Sequence, residues 1–317
     1  MKIMIVSFLA LLFIGCQSND KKEEAIREEA QISSKLNSKY YGNYVSDDYN
    51  LRNEGYDWVG VIVKPLNEFQ AKVSVRSRID LKKASCTFDN IAQIENDSVL
   101  VCNFDGNTIL FEFTNEGLNI KPKTEQDENA LYFFCSGGGT LKGFYKKLDG
   151  ELDEKQIDKT VYLRYFPANS IGVEITRNDN KQLKIRIYGQ DINNEEFVGD
   201  LNVEVIQAEL GDLNADNFPE IYIYTLSNDG SRKGDLIAYS SNNGKSFTPI
   251  YLPPITDNSE ASKGYNGGDE FAVVENTLVR RFPIIIEGKT VGTKQIQYKL
   301  TKGESAWQLV IDKIVEY

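Results

Sequence analysis

The chain is expected to be all-β: two sandwich- or barrel-like domains that follow a signal peptide and a charged tether. Two observations carry this expectation. Tyr (17) and Phe (16) are abundant while Met (2) and Trp (2) are scarce, and the wider bias toward aromatic and β-branched residues suits a pleated, half-buried surface. Short apolar or alternating runs also recur at regular spacing between Asn, Asp and Gly turns, with no sustained helical period. A hydrophobic content of 41% is enough for real cores, and the length favours two domains over one.

The first segment is Met1 to Cys16. Lys2 supplies one positive charge, the apolar run Ile3 to Ile14 is broken only by Ser7, and Gly15 stands directly before Cys16. That run is short for a membrane span and has the length of a signal h-region. The order Leu12-Phe13-Ile14-Gly15-Cys16 resembles a bacterial lipobox, with Phe13 where Leu is commoner. The resemblance implies that residues 1–15 are a signal peptide removed before Cys16, whose thiol carries acyl chains such as palmitate. Each buried methylene then contributes about 0.8 kcal/mol of membrane attachment. The other reading is a plain secretory signal with an incidental cysteine, but the abrupt polar switch at Gln17-Ser18-Asn19-Asp20 weighs against it.

Residues 16–38 read as a tether, because Asp20-Lys21-Lys22-Glu23-Glu24 and Arg27-Glu28-Glu29 are charged and offer no core. Gln17, rather than Asp, resembles the pattern of lipoproteins sorted to the outer membrane, and the acidic stretch is similar to export signals of surface lipoproteins. The expected location is therefore the outer membrane, on its periplasmic or exposed face. No later run is apolar enough to cross a bilayer.

Residues 39–148, through the aromatic run that ends at Cys135, read as short strands broken by turns and are the expected first β domain. Val59 to Val63 is a buried run, Lys72 to Arg76 and Thr108 to Phe113 alternate, and Asp105-Gly106-Asn107 and Asn115-Glu116-Gly117 are turns. The aromatic run Leu131-Tyr132-Phe133-Phe134-Cys135 leads into a Ser136-Gly137-Gly138-Gly139 turn and closes what reads as a small barrel. Residues 149–157 are acidic and lack aromatics, and are the expected linker. Residues 158–317 restart the pattern. Strands are expected at 161–164, 171–176, 183–188, 203–210, 220–225, 236–240, 271–275, 277–286, 293–300 and 307–314.

Composition narrows the chemistry. A net charge of −11 disfavours nucleic acid and favours a cationic partner. The chain has no histidine, so Ser-His and Cys-His nucleophiles and imidazole-ligated zinc are excluded, and an enzyme is not expected. Besides Cys16 there are Cys86, Cys102 and Cys135, which in an exported protein allow one bridge. A Cys86–Cys135 pair with Cys102 buried is slightly favoured over the other pairings.

The run Asp212-x-Asn214-x-Asp216-x-Phe218-x-Glu220 offers oxygen at alternate positions. Asp212, Asn214, Asp216 and Glu220, with the Phe218 carbonyl, form a candidate Ca²⁺ site, since Ca²⁺ takes six to eight oxygens. The spacing is similar to calcium loops of β-propeller repeats, with Asn217 where a glycine is usual. The competing reading is an Asx-rich turn whose side chains bond the backbone. Lys263, Arg280 and Arg281 are not read as a site; one of the two strand arginines is expected to be ion-paired and the other solvated.

Three segments of the second domain stand in a fixed order: Asp212 to Tyr224; Asn242-Asn243-Gly244 leading to Ile250-Tyr251-Leu252-Pro253-Pro254; and Ser262-Lys263-Gly264-Tyr265 with Asp269 to Glu275 and Leu278 to Pro283. Together with Ile296 to Leu300 and Trp307-Gln308-Leu309 they resemble the periplasmic inhibitors of invertebrate-type lysozyme, over residues 158–317 only. The resemblance implies a β-sandwich-like domain whose protruding loop, carrying a Ser-Gly pair and a tyrosine, plugs a lysozyme cleft. The corresponding loop is 225–235, with Ser227, Ser231, Arg232 and Lys233 as its binding residues. It departs from the family in a displaced small residue and in Lys233 at the tyrosine position. Invertebrate-type lysozyme is thus the expected partner. The alternative is a non-inhibitory surface module for glycan or a host protein on the same fold. A third class, an enzyme using Asp212, Asp216, Asp269 or Glu270, has no spacing to support it.

Overall fold

The computed structural model describes residues 35–317 apart from 179, 190, 191, 200 and 305 and the side chains of 193, 195 and 197. Cys16, the signal peptide and the tether up to residue 34 lie outside the described residues.

Eight antiparallel strands run in sequence order around a closed barrel: β1 (Gly42–Val45), β2 (Val59–Pro65), β3 (Gln70–Ser77), β4 (Phe88–Asn96), β5 (Val99–Phe104), β6 (Asn107–Phe113), β7 (Gly117–Pro122) and β8 (Gly143–Leu148). β8 returns to pair with β1 through Val45↔Lys146, so the barrel has no free edge to guard. Alternation sets which side chains fill it. Val61 and Val63 face Val75 and Val73 across the β2–β3 pair, and all four are buried. Phe88, Leu100, Cys102, Ile109, Phe111, Leu118 and Ile120 complete a filled interior. Leu36, at the end of the tether, also packs into this core.

The aromatic run at 131–135 departs from the strand expectation. Glu128–Phe133 is a short helix, α1, that places Ala130 and Leu131 in the barrel core. The reason is local. Asp127 accepts the Thr124 and Thr108 amides, both at 2.8 Å, which turns the chain into a helix. β7 meanwhile pairs directly with β8 through Leu118↔Tyr145, leaving residue 131 no strand partner. Cys135, just after α1, is disulfide-bonded to Cys86.

Cys102 is buried among apolar neighbours, and burial pushes its thiol up from the ordinary range. In a Cys16→Ser chain, native Cys102 should react with a thiol reagent at least ~10³-fold more slowly than in denaturant. Rapid labelling of the folded chain would contradict its placement.

Residues 149–157 lie along the barrel as a strap. Leu152 packs with Val45, Tyr49 and Trp58, Trp58 Nε1 donates to Gln156 at 3.0 Å, and Ile157 bridges to Arg78.

The second half holds a four-stranded sheet of β9 (Thr160–Phe166), β10 (Ile171–Arg177), β11 (Leu183–Gly189) and β12 (Ile192–Gly199). An eight-stranded sheet follows: β13 (Val203–Gly211), β14 (Glu220–Ser227), β15 (Gly234–Ser241), β16 (Phe247–Tyr251), β17 (Glu270–Val274), β18 (Thr277–Ile286), β19 (Lys289–Lys302) and β20 (Trp307–Glu316). Its order is β13-β14-β15-β16-β20-β19-β18-β17, with β16 and β20 parallel. The outer strands nearly close on each other. Glu209 of β13 bridges that gap, accepting the Val273 amide at 2.8 Å and the Tyr224 hydroxyl at 2.7 Å. β14 is buried on both faces. Ile221 and Ile223 face the four-stranded sheet, while Tyr222 and Tyr224 face the core of the larger one.

The two halves meet along β3. Its inward residues Ala71, Val73 and Val75 fill the barrel, yet its outward Lys72, Ser74 and Arg76 are buried too. Arg76 Nη2 contacts both Asp89 oxygens at 2.9 Å, its Nε donates to the Thr160 carbonyl at 2.7 Å, and Nη2 reaches the Val161 carbonyl at 3.0 Å. Asp89 in turn accepts the Leu163 amide at 2.9 Å and the Ser74 hydroxyl at 2.6 Å. Lys72 donates to the Val205 carbonyl, and burial lowers its pKa.

Candidate functional site

The loop singled out in the sequence is the tip of the β14–β15 hairpin. Leu226↔Gly234 is the last strand pair, and Ser227 N–H donates to the Lys233 carbonyl at 2.9 Å. Gly230 (φ +84°) and Arg232 (φ +49°) take left-handed backbone to close it.

Both serine hydroxyls are spent inside the loop. Ser231 Oγ donates to Asp229 at 2.6 Å, Ser227 and Ser231 Oγ stand 2.9 Å apart, and Ser227 Oγ accepts the Lys233 amide at 2.9 Å. The Ser231 hydroxyl, then its amide, hold the Asp229 carboxyl down at about 2. Arg232 and Lys233 are exposed. The loop therefore turns two cations outward on a scaffold built by its serines.

A second loop braces it. The Gly268 amide donates to the Arg232 carbonyl at 3.1 Å. A Cβ on Gly267 would lie 2.3 Å from the Ser231 carbonyl oxygen, so only glycine allows this approach. Asp269 accepts from the Gly234 amide (2.6 Å), the Tyr265 hydroxyl (2.7 Å) and Arg280 Nε (2.6 Å). Arg280 is buried in this ion pair, whereas Arg281 is exposed and donates to Gln295. Lys263 is exposed, and its carbonyl accepts from buried Lys294 at 3.0 Å. Nothing in the spacing of Tyr265, Asp269 and Arg280 announces this brace in the sequence.

Arg232 also lines a cleft of about 580 Å³ between the two halves. Barrel residues Asn67, Gln70 and Gln93 form one wall, with Gln207 and Arg281 opposite. Asn67 Nδ2 reaches Glu270 across it at 3.2 Å. No known protein family and no curated protein matches the chain. The loop and the cleft are what the function has to be read from.

The acidic run lies at the other end of β14, seven residue steps or roughly 23 Å from Ser227. Asp212 accepts the Asp216 and Asn217 amides, both at 3.0 Å, Asn214 Oδ1 accepts the Asp216 amide at 3.0 Å, and Asp216 accepts the Phe218 amide at 2.8 Å. The bonds to Asn214 and Asp216 are Asx turns, and Asp212 reaches across them to amides four and five residues on. Glu220 is fully buried; its Oε2 accepts the Leu213 amide at 2.8 Å and the Tyr222 hydroxyl at 3.4 Å, and among the described residues its Oε1 has no partner from another residue. Burial pushes this carboxyl up to about 7. Among the described residues no three acidic, His or Cys side chains are brought together as a ready-made metal cage.

Proposed function

We propose that this chain is a lipid-anchored outer-membrane binding protein that blocks invertebrate-type lysozyme by placing loop 225–235 in the enzyme's cleft, and that it is not itself an enzyme. The observation that carries this is the outward pair Arg232 and Lys233 on a hairpin held by its own serines and by Asp269. A glycosidase cleft works with two carboxyl groups. A guanidinium and an ammonium presented together match them, where the family resemblance would place a tyrosine. In this reading Ser227 and Ser231 shape the loop and do not touch the enzyme. The chain's net charge of −11 speeds encounter with a basic lysozyme.

The Arg232→Ala/Lys233→Ala variant should bind invertebrate-type lysozyme roughly 100-fold more weakly, mostly through faster dissociation, with its fold intact. Calorimetry and surface kinetics give both quantities. Unchanged affinity would sink the loop assignment.

The cleft favours a second reading, a glycan-binding module. Amides of Asn67, Gln70, Gln93 and Gln207 are suited to sugar hydroxyls. Saturable binding of soluble peptidoglycan fragments, weakened in Gln93→Ala/Gln207→Ala and without any lysozyme binding, would favour it.

A further inference from the structure

We infer that residues 212–220 form a Ca²⁺ site, with the side chains of Asp212, Asn214, Asp216 and Glu220 and the carbonyl of Phe218 as its oxygens. Hydrogen bonds to the loop's own amides do not exhaust these groups. An ionised carboxylate offers about four lone-pair positions, and Asp212 and Asp216 each use two or so, on amides and the Asn214 side chain. Those bonds set the curl of the loop, and some of them would give way as further lone pairs turn to ligate.

The independent observation is Glu220. It has no exposed surface, and the Leu213 amide draws its Oε2 to the first turn of the loop. Among the described residues its Oε1 meets no donor from another residue. A buried carboxylate oxygen without a partner is costly. The charged neighbours bearing on Glu220 include Asp212 and Asp216, which share its sign. A divalent cation would supply both the missing partner and the missing positive charge. An all-oxygen donor set with no sulfur or imidazole selects a hard cation, and an irregular flexible loop suits Ca²⁺ better than Mg²⁺, which demands a strict octahedron. Closing the cage requires side-chain rotation at Asp212 and Asp216, since the three carboxylates do not already converge. Both are solvent-accessible. The ion would pin the turn between β13 and β14, at the end of β14 remote from the hairpin loop. The assignment stands or falls separately from the lysozyme reading.

The test uses the full chain stripped with EDTA and titrated with CaCl₂ by calorimetry, alongside thermal melts. One Ca²⁺ should bind per chain, and tenfold excess over the dissociation constant should raise Tm by about 3–6 °C. Asp212→Asn and Asp216→Asn, both nearly isosteric, should each weaken binding by at least about tenfold while far-ultraviolet circular dichroism stays unchanged. No heat and no Tm shift up to millimolar CaCl₂ would overturn the site. So would unchanged affinity in both variants, or an equal response to MgCl₂.

Discussion

Asp89→Ala should cost about 3–5 kcal/mol and should loosen the barrel from the second half of the chain. Removing one member of a buried, hydrogen-bonded ion pair leaves the other charge uncompensated, and that loss is the expensive one. Arg76 would keep its bonds to the Thr160 and Val161 carbonyls but lose both contacts at 2.9 Å to Asp89. The Leu163 amide and the Ser74 hydroxyl would lose their acceptor at the same time. Denaturant unfolding in a Trp307→Phe background reads the barrel through Trp58, which is buried beside Tyr49. The Arg76→Met/Asp89→Leu pair should recover much of the loss, because apolar replacement of both partners removes the desolvation penalty. A loss below about 1 kcal/mol for Asp89→Ala would mean that this contact does not hold the halves together.

The Cys86→Ala/Cys135→Ala chain should lose about 2–4 kcal/mol from the barrel. The bridge spans 49 residues, and tying a segment of that length removes considerable freedom from the unfolded chain. It also fixes the segment after α1 against the segment before β4, where Phe134 packs on Phe88 and Phe104. On a barrel of this size the melting temperature should fall on the order of 10 °C. Reduction of the native chain should give a similar drop. A change within about 2 °C would show that packing alone holds that end of the barrel.

Much of the strand order was legible from residue pattern. The all-β class and every expected strand of the second half are present, because alternation and Asn/Asp/Gly turns are local signals. The misses have physical reasons. β12 begins Ile192-Asn193-Asn194-Glu195-Glu196 at the rim of its sheet, so it shows no apolar alternation. β16 contains Pro249, which argues against a strand, yet the segment pairs with β15 through Tyr239↔Pro249 and with β20 through Ile250↔Trp307. α1 looked like a strand because its aromatic run is strand-like in composition, and only the Asp127 turn and the β7–β8 pairing decide against it. The outward face of β3 is polar in sequence, yet Arg76 is buried by a neighbour far along the chain, which periodicity cannot register. The candidate loop was placed by resemblance. That its serines face inward and its cations outward follows from hydrogen bonds a sequence does not display.

Purified chain mixed in excess with invertebrate-type lysozyme on a cell-wall suspension should suppress lysis in proportion to the amount added, and the Arg232→Ala/Lys233→Ala chain should restore lysis nearly to the uninhibited rate. Lysis that proceeds unchanged at excess native protein would contradict the inhibitor reading outright.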